Sequence, residues 1–164
     1  MGIPPEVYTK INVDVSSFGN PDNVGFGGLL RNDMRIWIRG FFGACGRASN
    51  LLAEFSAIWK GLQIACNWDL RYRSIIMEFD SWTTLDLITN TNQNDFHHHA
   101  NLLSLIKKLS YISWVVSFNH ALREGNECAN SLTKFGAKNV DSLKMDVSSS
   151  STKYHSVGGY LWGI

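Results

Sequence analysis

An α/β fold on a mixed sheet is what this sequence predicts, from three observations: an early set of alternating apolar runs, one long stretch with helical apolar spacing, and an apolar run directly after it. Ile11, Val13 and Val15 alternate with Asn12, Asp14 and Ser16, the period-two pattern of a half-buried strand. After the turn-like FGNPDN, the segments VGFGGLLRN and MRIWIRGFFGAC read as two further strands with short polar breaks between them. Connections that short make the first three strands an antiparallel meander. Leu52, Phe55, Ile58, Trp59, Leu62 and Cys66 then recur at helical spacing behind a candidate N-cap at Ser49 or Asn50. The run SIIMEFD follows as a strand, and strand, helix, strand implies a parallel pairing.

The later elements carry weaker signals. Trp82 to Ile88 reads as a short helix, NTNQNDF as a polar break, and Leu102, Leu105, Ile106 and Leu109 as another helix. Trp114 to Phe118 is a β-rich run that leads into the loop NHALREGNE and a final amphipathic helix around Cys128 to Phe135. The expected organisation is a linker over 1–9, where paired prolines oppose regular structure, a domain over 10–138, and a Ser-rich tail over 139–164 without a convincing period.

Composition excludes several classes. The chain has 164 residues, 45% of them hydrophobic, enough for one domain with a real core. A formal net charge of +1 gives no general attraction to nucleic acid, so any such contact must come from a local groove. No apolar run is long enough to span a bilayer and the start has no signal-peptide pattern, so an intracellular chain, nuclear or cytoplasmic and not secreted, is expected. Cys45, Cys66 and Cys128 are few and scattered, without a CxxC pair, and read as reduced structural thiols.

Three acidic residues stand out by their surroundings. Asp14 lies in an apolar strand, Glu54 on the first turns of a helix beside its buried stripe, and Asp80 at the end of a second apolar strand. A carboxylate is costly in such segments unless paired, and three of them aimed at one place suit hard cations and phosphodiester hydrolysis. Singly, each has a plain structural explanation, as an edge or turn residue or as a partner of the helix macrodipole. Glu78 shares the strand face of Asp80 and reads equally as a hydrogen-bonding residue. The triplet His97, His98 and His99 does not read as a metal site, because adjacent side chains diverge; a solvated helix start is expected there.

The motifs INVDVSS, FGNPDNVGFGGLLRN, NLLAEFSA, MEFDSW and NHALREGNECANSL, in this order from about Lys10 to Ala137, resemble type 1 ribonuclease H. Within that family the chain is similar to the ribonuclease H domains of plant reverse-transcriptase proteins of non-LTR retroelements and their freestanding relatives. The resemblance implies a ribonuclease H-like fold, a five-stranded mixed sheet with its first three strands antiparallel, flanked by helices. It also implies a metal-dependent endonuclease that hydrolyses the RNA strand of RNA/DNA hybrids with two Mg²⁺ ions, or Mn²⁺ in their place. Asp14 would bridge both ions, Glu54 serve the leaving-group side and Asp80 the nucleophile side. His120 stands where the family has a loop His that moves a proton or helps release product.

The chain departs from the family at Asn130. The family generally has a fourth Asp there, and an amide offers a carbonyl oxygen without charge, which weakens the nucleophile-side metal. Val15 replaces a usual Gly, and Trp82 takes a position that is often polar near the substrate. Asn20 and Asn50 match positions that hydrogen-bond the hybrid's minor groove, where 2′-hydroxyls distinguish RNA from DNA; turn formation and N-capping are alternative roles for them. In place of a basic protrusion the chain has TNQNDFHHH, with only Lys107 and Lys108 nearby, so weak and salt-sensitive hybrid binding is expected. A catalytically inactive hybrid-binding or relic domain, derived from a larger reverse-transcriptase polyprotein, is the alternative reading.

Overall fold

A computed structural model describes residues 8–18, 23–67, 74–90, 98–111, 115–122, 129–130, 133, 145–148, 154–157 and 160–163. The strands β1 (Tyr8–Phe18), β2 (Asn23–Asn32) and β3 (Trp37–Arg47) form the expected antiparallel meander. Helix α1 (Asn50–Asn67) then crosses to β4 (Ser74–Phe79), which pairs parallel to β1. Helices α2 (Trp82–Thr89) and α3 (Ala100–Tyr111) precede β5 (Val115–His120), which runs parallel to β4. The expected five-stranded mixed sheet is therefore present, in the order β5-β4-β1-β2-β3.

The ends differ from the sequence expectation. β1 begins at Tyr8, inside the expected linker, and a sixth strand, β6 (Met145–Ser148), joins the sheet antiparallel to β3. Two more strands, β7 (Tyr154–Val157) and β8 (Tyr160–Gly163), form a hairpin. The region expected to be a tail thus contains three strands. An edge strand needs only backbone pairing with an open neighbour, so a segment such as MDVS, whose alternation spans only four residues, can take that place.

The core lies between one sheet face and the helices. Ile11, Val13, Ile75, Met77 and Phe79 are buried on the sheet, and Phe55, Ile58 and Leu62 on α1 pack against them. α1 is also covered by α3, through Leu103 and Ile106. That second layer explains why Ala53, Ala57 and Ile64, outside the expected stripe, are buried as well. A Cβ at Gly61 would sit 3.1 Å from Ile11 Cγ2 and 3.3 Å from Phe41 Cζ, so a glycine lets α1 approach the sheet closely. Ser49, not Asn50, is the helix cap: its Oγ accepts from Leu52 N at 3.1 Å.

Candidate active site

The site forms beside the middle of β1, where β4 ends and α2 begins. Asn12 pairs with Glu78 across the parallel strands, an offset of 66 residues. Extended two residues past the last pair of that ladder, the same offset puts Asp14 level with Asp80 in the bend beyond β4. β4 ends at Phe79, Asp80 occupies the bend, and Ser81 caps α2 by accepting from Thr84 N at 3.2 Å. A strand-to-helix turn of this kind projects a side chain from a fixed backbone.

Glu54 reaches this turn from α1. The hydroxyl of the fully buried Thr84 donates to Glu54 Oε2, and Ser81 also hydrogen-bonds the carboxylate. Burial pushes the Glu54 carboxyl above its usual range; the bonds from Thr84 and Ser81 oppose this, and the neighbouring charge of Asp80 adds to it. The native chain therefore holds a proton on Glu54 at a pH where the unfolded chain has lost it. Stability falls as pH rises from about 4.5 through the raised value, and the whole loss is present above that value. In metal-free buffer, Glu54→Gln is expected to be more stable than the native chain near neutral pH, with the advantage vanishing below pH 4.5. Urea unfolding across that range checks it, and a difference independent of pH would refute it.

His120 closes the other side. It is the last residue of β5, paired with Phe79, and not on the loop where the sequence suggested it. Its Nε2 lies 3.2 Å from the Asp80 carbonyl oxygen, and Ala121 N donates to the Phe79 carbonyl at 2.9 Å. The ring stacks on the Trp82 indole, with centroids 4.0 Å apart and planes 9° from parallel. Trp82 remains 68% exposed. The sequence marked Trp82 only as a departure from the family; nothing in its periodicity could reveal a partner on a strand that arrives after two helices.

Asn130 is helical and half-buried, and its carbonyl accepts from the Thr133 hydroxyl at 2.8 Å. Asn50 is exposed at the first position of α1, and Asn20 lies outside the described residues. Of the histidine triplet, His97 is outside the described residues, while His98 is exposed. His99 departs from the solvated start expected: it is half-buried, with its ring edge-on to Phe55 at 6.1 Å. Cys45 is half-buried, and burial raises the Cys66 thiol above its usual range.

The oxygen donors gathered at this turn suit a hard divalent cation, and a cation would relieve the burial and repulsion that burden Glu54 beside Asp80. Only part of the donor set is assembled, however. Among the described residues no three His, Cys, Asp or Glu side chains close around a single point.

An α/β sheet of this topology, with an acidic side chain within β1 and another just past the end of β4, defines a ribonuclease H-like domain. Residues 12–136 match the reverse transcriptase-like family, and the chain belongs to it. It is 30% identical over 128 residues to an Arabidopsis thaliana protein named putative ribonuclease H protein, a match covering 78% of this chain and 20% of that one. The chain thus spans about a fifth of the length of that relative. Among solved structures it is similar to ribonuclease H1 from the halophilic archaeon Halobacterium salinarum, with a TM-score of 0.69 and 23% identity over 80% of this chain and 98% of that one. LC11 ribonuclease H1, isolated from compost and solved with an RNA/DNA hybrid, gives a TM-score of 0.71 at 17% identity over 80% and 97% of the two chains. The fold is that of type 1 ribonuclease H. No helix among the described residues is long and apolar enough to cross a membrane.

Proposed function

We propose that this domain hydrolyses the RNA strand of RNA/DNA hybrids, with Mg²⁺ held by Asp14, Glu54, Asp80 and Asn130. The observation that carries the reading is Glu54, a desolvated carboxylate beside Asp80 at the mouth of the strand-to-helix turn. Two acidic groups so placed are stabilised together by a bound cation and opposed by its removal. When bound, the ions would neutralise the scissile phosphate and lower the cost of generating a hydroxide nucleophile.

The chain's own groups would do the rest. Thr84 and Ser81 hold the Glu54 carboxylate in one orientation, so its oxygens need not reorganise when substrate arrives. The Trp82 stack and the Asp80 carbonyl fix the His120 imidazole at the same turn, where it would carry a proton to or from a phosphate oxygen. Asn50, at the exposed start of α1, would bond the minor-groove side of the hybrid, as Asn20, in the sequence between β1 and β2, would also do. Asn130 supplies a neutral oxygen where a carboxylate would bind a cation better.

The test is cleavage of a labelled RNA strand in a hybrid with Mg²⁺ or Mn²⁺, comparing the native chain with Asn130→Asp. The fourth carboxylate is expected to raise cleavage by roughly 10-fold or more, with the larger gain at low Mg²⁺. No cleavage by either chain would overturn the catalytic reading, and hybrid binding without cleavage would assign a binding domain left from a retroelement polyprotein.

A further inference from the structure

On the sheet face opposite α1, away from the Asp80 turn, lies a concave pocket of about 300 Å³, at the lower end of ordinary ligand sites. Its floor is Lys10 and Asn12 of β1 with Glu78 of β4; Tyr8, Arg31 and Arg35 complete its wall. Lys10 and Arg31 are direct partners in the antiparallel register. Like charges so placed repel and destabilise the pair unless an anion lies between them.

Glu78 answers only one of these charges. Its Oε1 binds Lys10 Nζ at 2.9 Å, and its Oε2 accepts from the Asn12 amide at 2.9 Å. The guanidinium groups of Arg31 and Arg35 have no ion-pair partner among the described residues. The pocket thus carries three cations against one engaged carboxylate, in a chain whose formal net charge is +1. Arg35 adopts φ 62°, a left-handed backbone uncommon for a side-chain-bearing residue. The turn is braced by Asn32, whose Oδ1 accepts from Ile36 N at 2.8 Å and whose carbonyl accepts from Arg35 N at 2.9 Å. Two planar guanidinium forks over a polar floor match the oxygens of a phosphate.

We propose that this pocket binds a phosphate group, either of a free mononucleotide-sized ester or of a nucleic-acid backbone passing the sheet. The cations that would hold the phosphate are set back from the proposed hydrolytic site: along β1, Lys10 and Asp14 are about 13 Å apart at ~3.3 Å per residue, although Asn12 and Glu78 on the pocket floor stand two residues from Asp14 and Asp80.

The test is the thermal midpoint of the full chain in EDTA, with inorganic phosphate or adenosine 5′-monophosphate against chloride at equal ionic strength. Phosphate is expected to raise the native midpoint by about 3 °C, and Arg31→Gln and Arg35→Gly to lose that increment. Arg35→Gly removes the charge while suiting the positive φ, and Arg31→Gln relieves the cross-strand repulsion, so both should fold. A parallel titration with hybrid at low salt separates the sources: weaker binding by both variants assigns a backbone phosphate, and unchanged binding a free ester. No phosphate effect on the native chain, or an equal effect on the variants, overturns the proposal.

Discussion

Replacing Asp80 with Asn is expected to lower cleavage of the RNA strand by about 10²-fold or more at saturating Mg²⁺, a loss typical of removing one charged group that acts on the transition state. The fold should be untouched. Asp80 is at a bend, half-buried, and the Asn side chain has the same shape. Its backbone carbonyl, which faces His120 Nε2, is retained. The substitution also removes the charge that helps raise the Glu54 carboxyl, so the metal-free variant should be as stable as the native chain or more so. Run in both the native and Asn130→Asp backgrounds, the assay separates a weak site from an absent one. Undiminished cleavage in Asp80→Asn would remove this residue from the mechanism, and a collapsed melting transition would mean its role is structural.

The second large effect concerns the packing that brings Glu54 to this turn. Gly28→Ala is expected to destabilise the fold by about 2–3 kcal/mol, the usual cost of overpacking a filled core. Gly28 lies between Val13 and Phe41 in register. An added Cβ would meet Phe41 Cε1 at 2.6 Å and the backbone oxygen of Asn12 at 2.9 Å. The Phe41 ring is fully buried, and its tip atom Cζ borders Gly61 of α1 as well as Gly28, so it has little room to move. Glycines on sheet and helix that meet at one ring tip set the spacing between the two. Denaturant unfolding of Gly28→Ala measures the cost. Phe41→Leu in that background should recover part of it, because a smaller side chain vacates the contested volume. A neutral Gly28→Ala would mean that the sheet shifts freely beneath the helix.

Legibility in the sequence followed the range of the interactions. The alternation of Ile11 to Val15 and of Ile75 to Phe79 is local, and it set Asp14 and Glu78 apart from their buried neighbours Val13, Met77 and Phe79. The helical spacing behind Ser49 located α1, but only its burial on two sides explains why Ala53, Ala57 and Ile64 are as buried as the expected stripe. β6 was not legible, because the alternation in MDVS is only four residues long and what makes it a strand is the open edge of β3. NHALREGNE reads as a loop and predicts His120 within it; pairing with Phe79 holds the residue in β5 instead.

By itself, then, the sequence determined the class of fold, the antiparallel start, the parallel return after α1 and the segments that carry the candidate acids, since each rests on periodicity within a few residues. Only the tertiary structure decided that Glu54 is bound by Thr84 and Ser81, that Trp82 stacks on His120, and that Lys10 meets Arg31 while Glu78 answers Lys10 alone. Those contacts join elements distant in the chain, and their energies depend on burial and neighbouring charge, which arise only when the elements pack together.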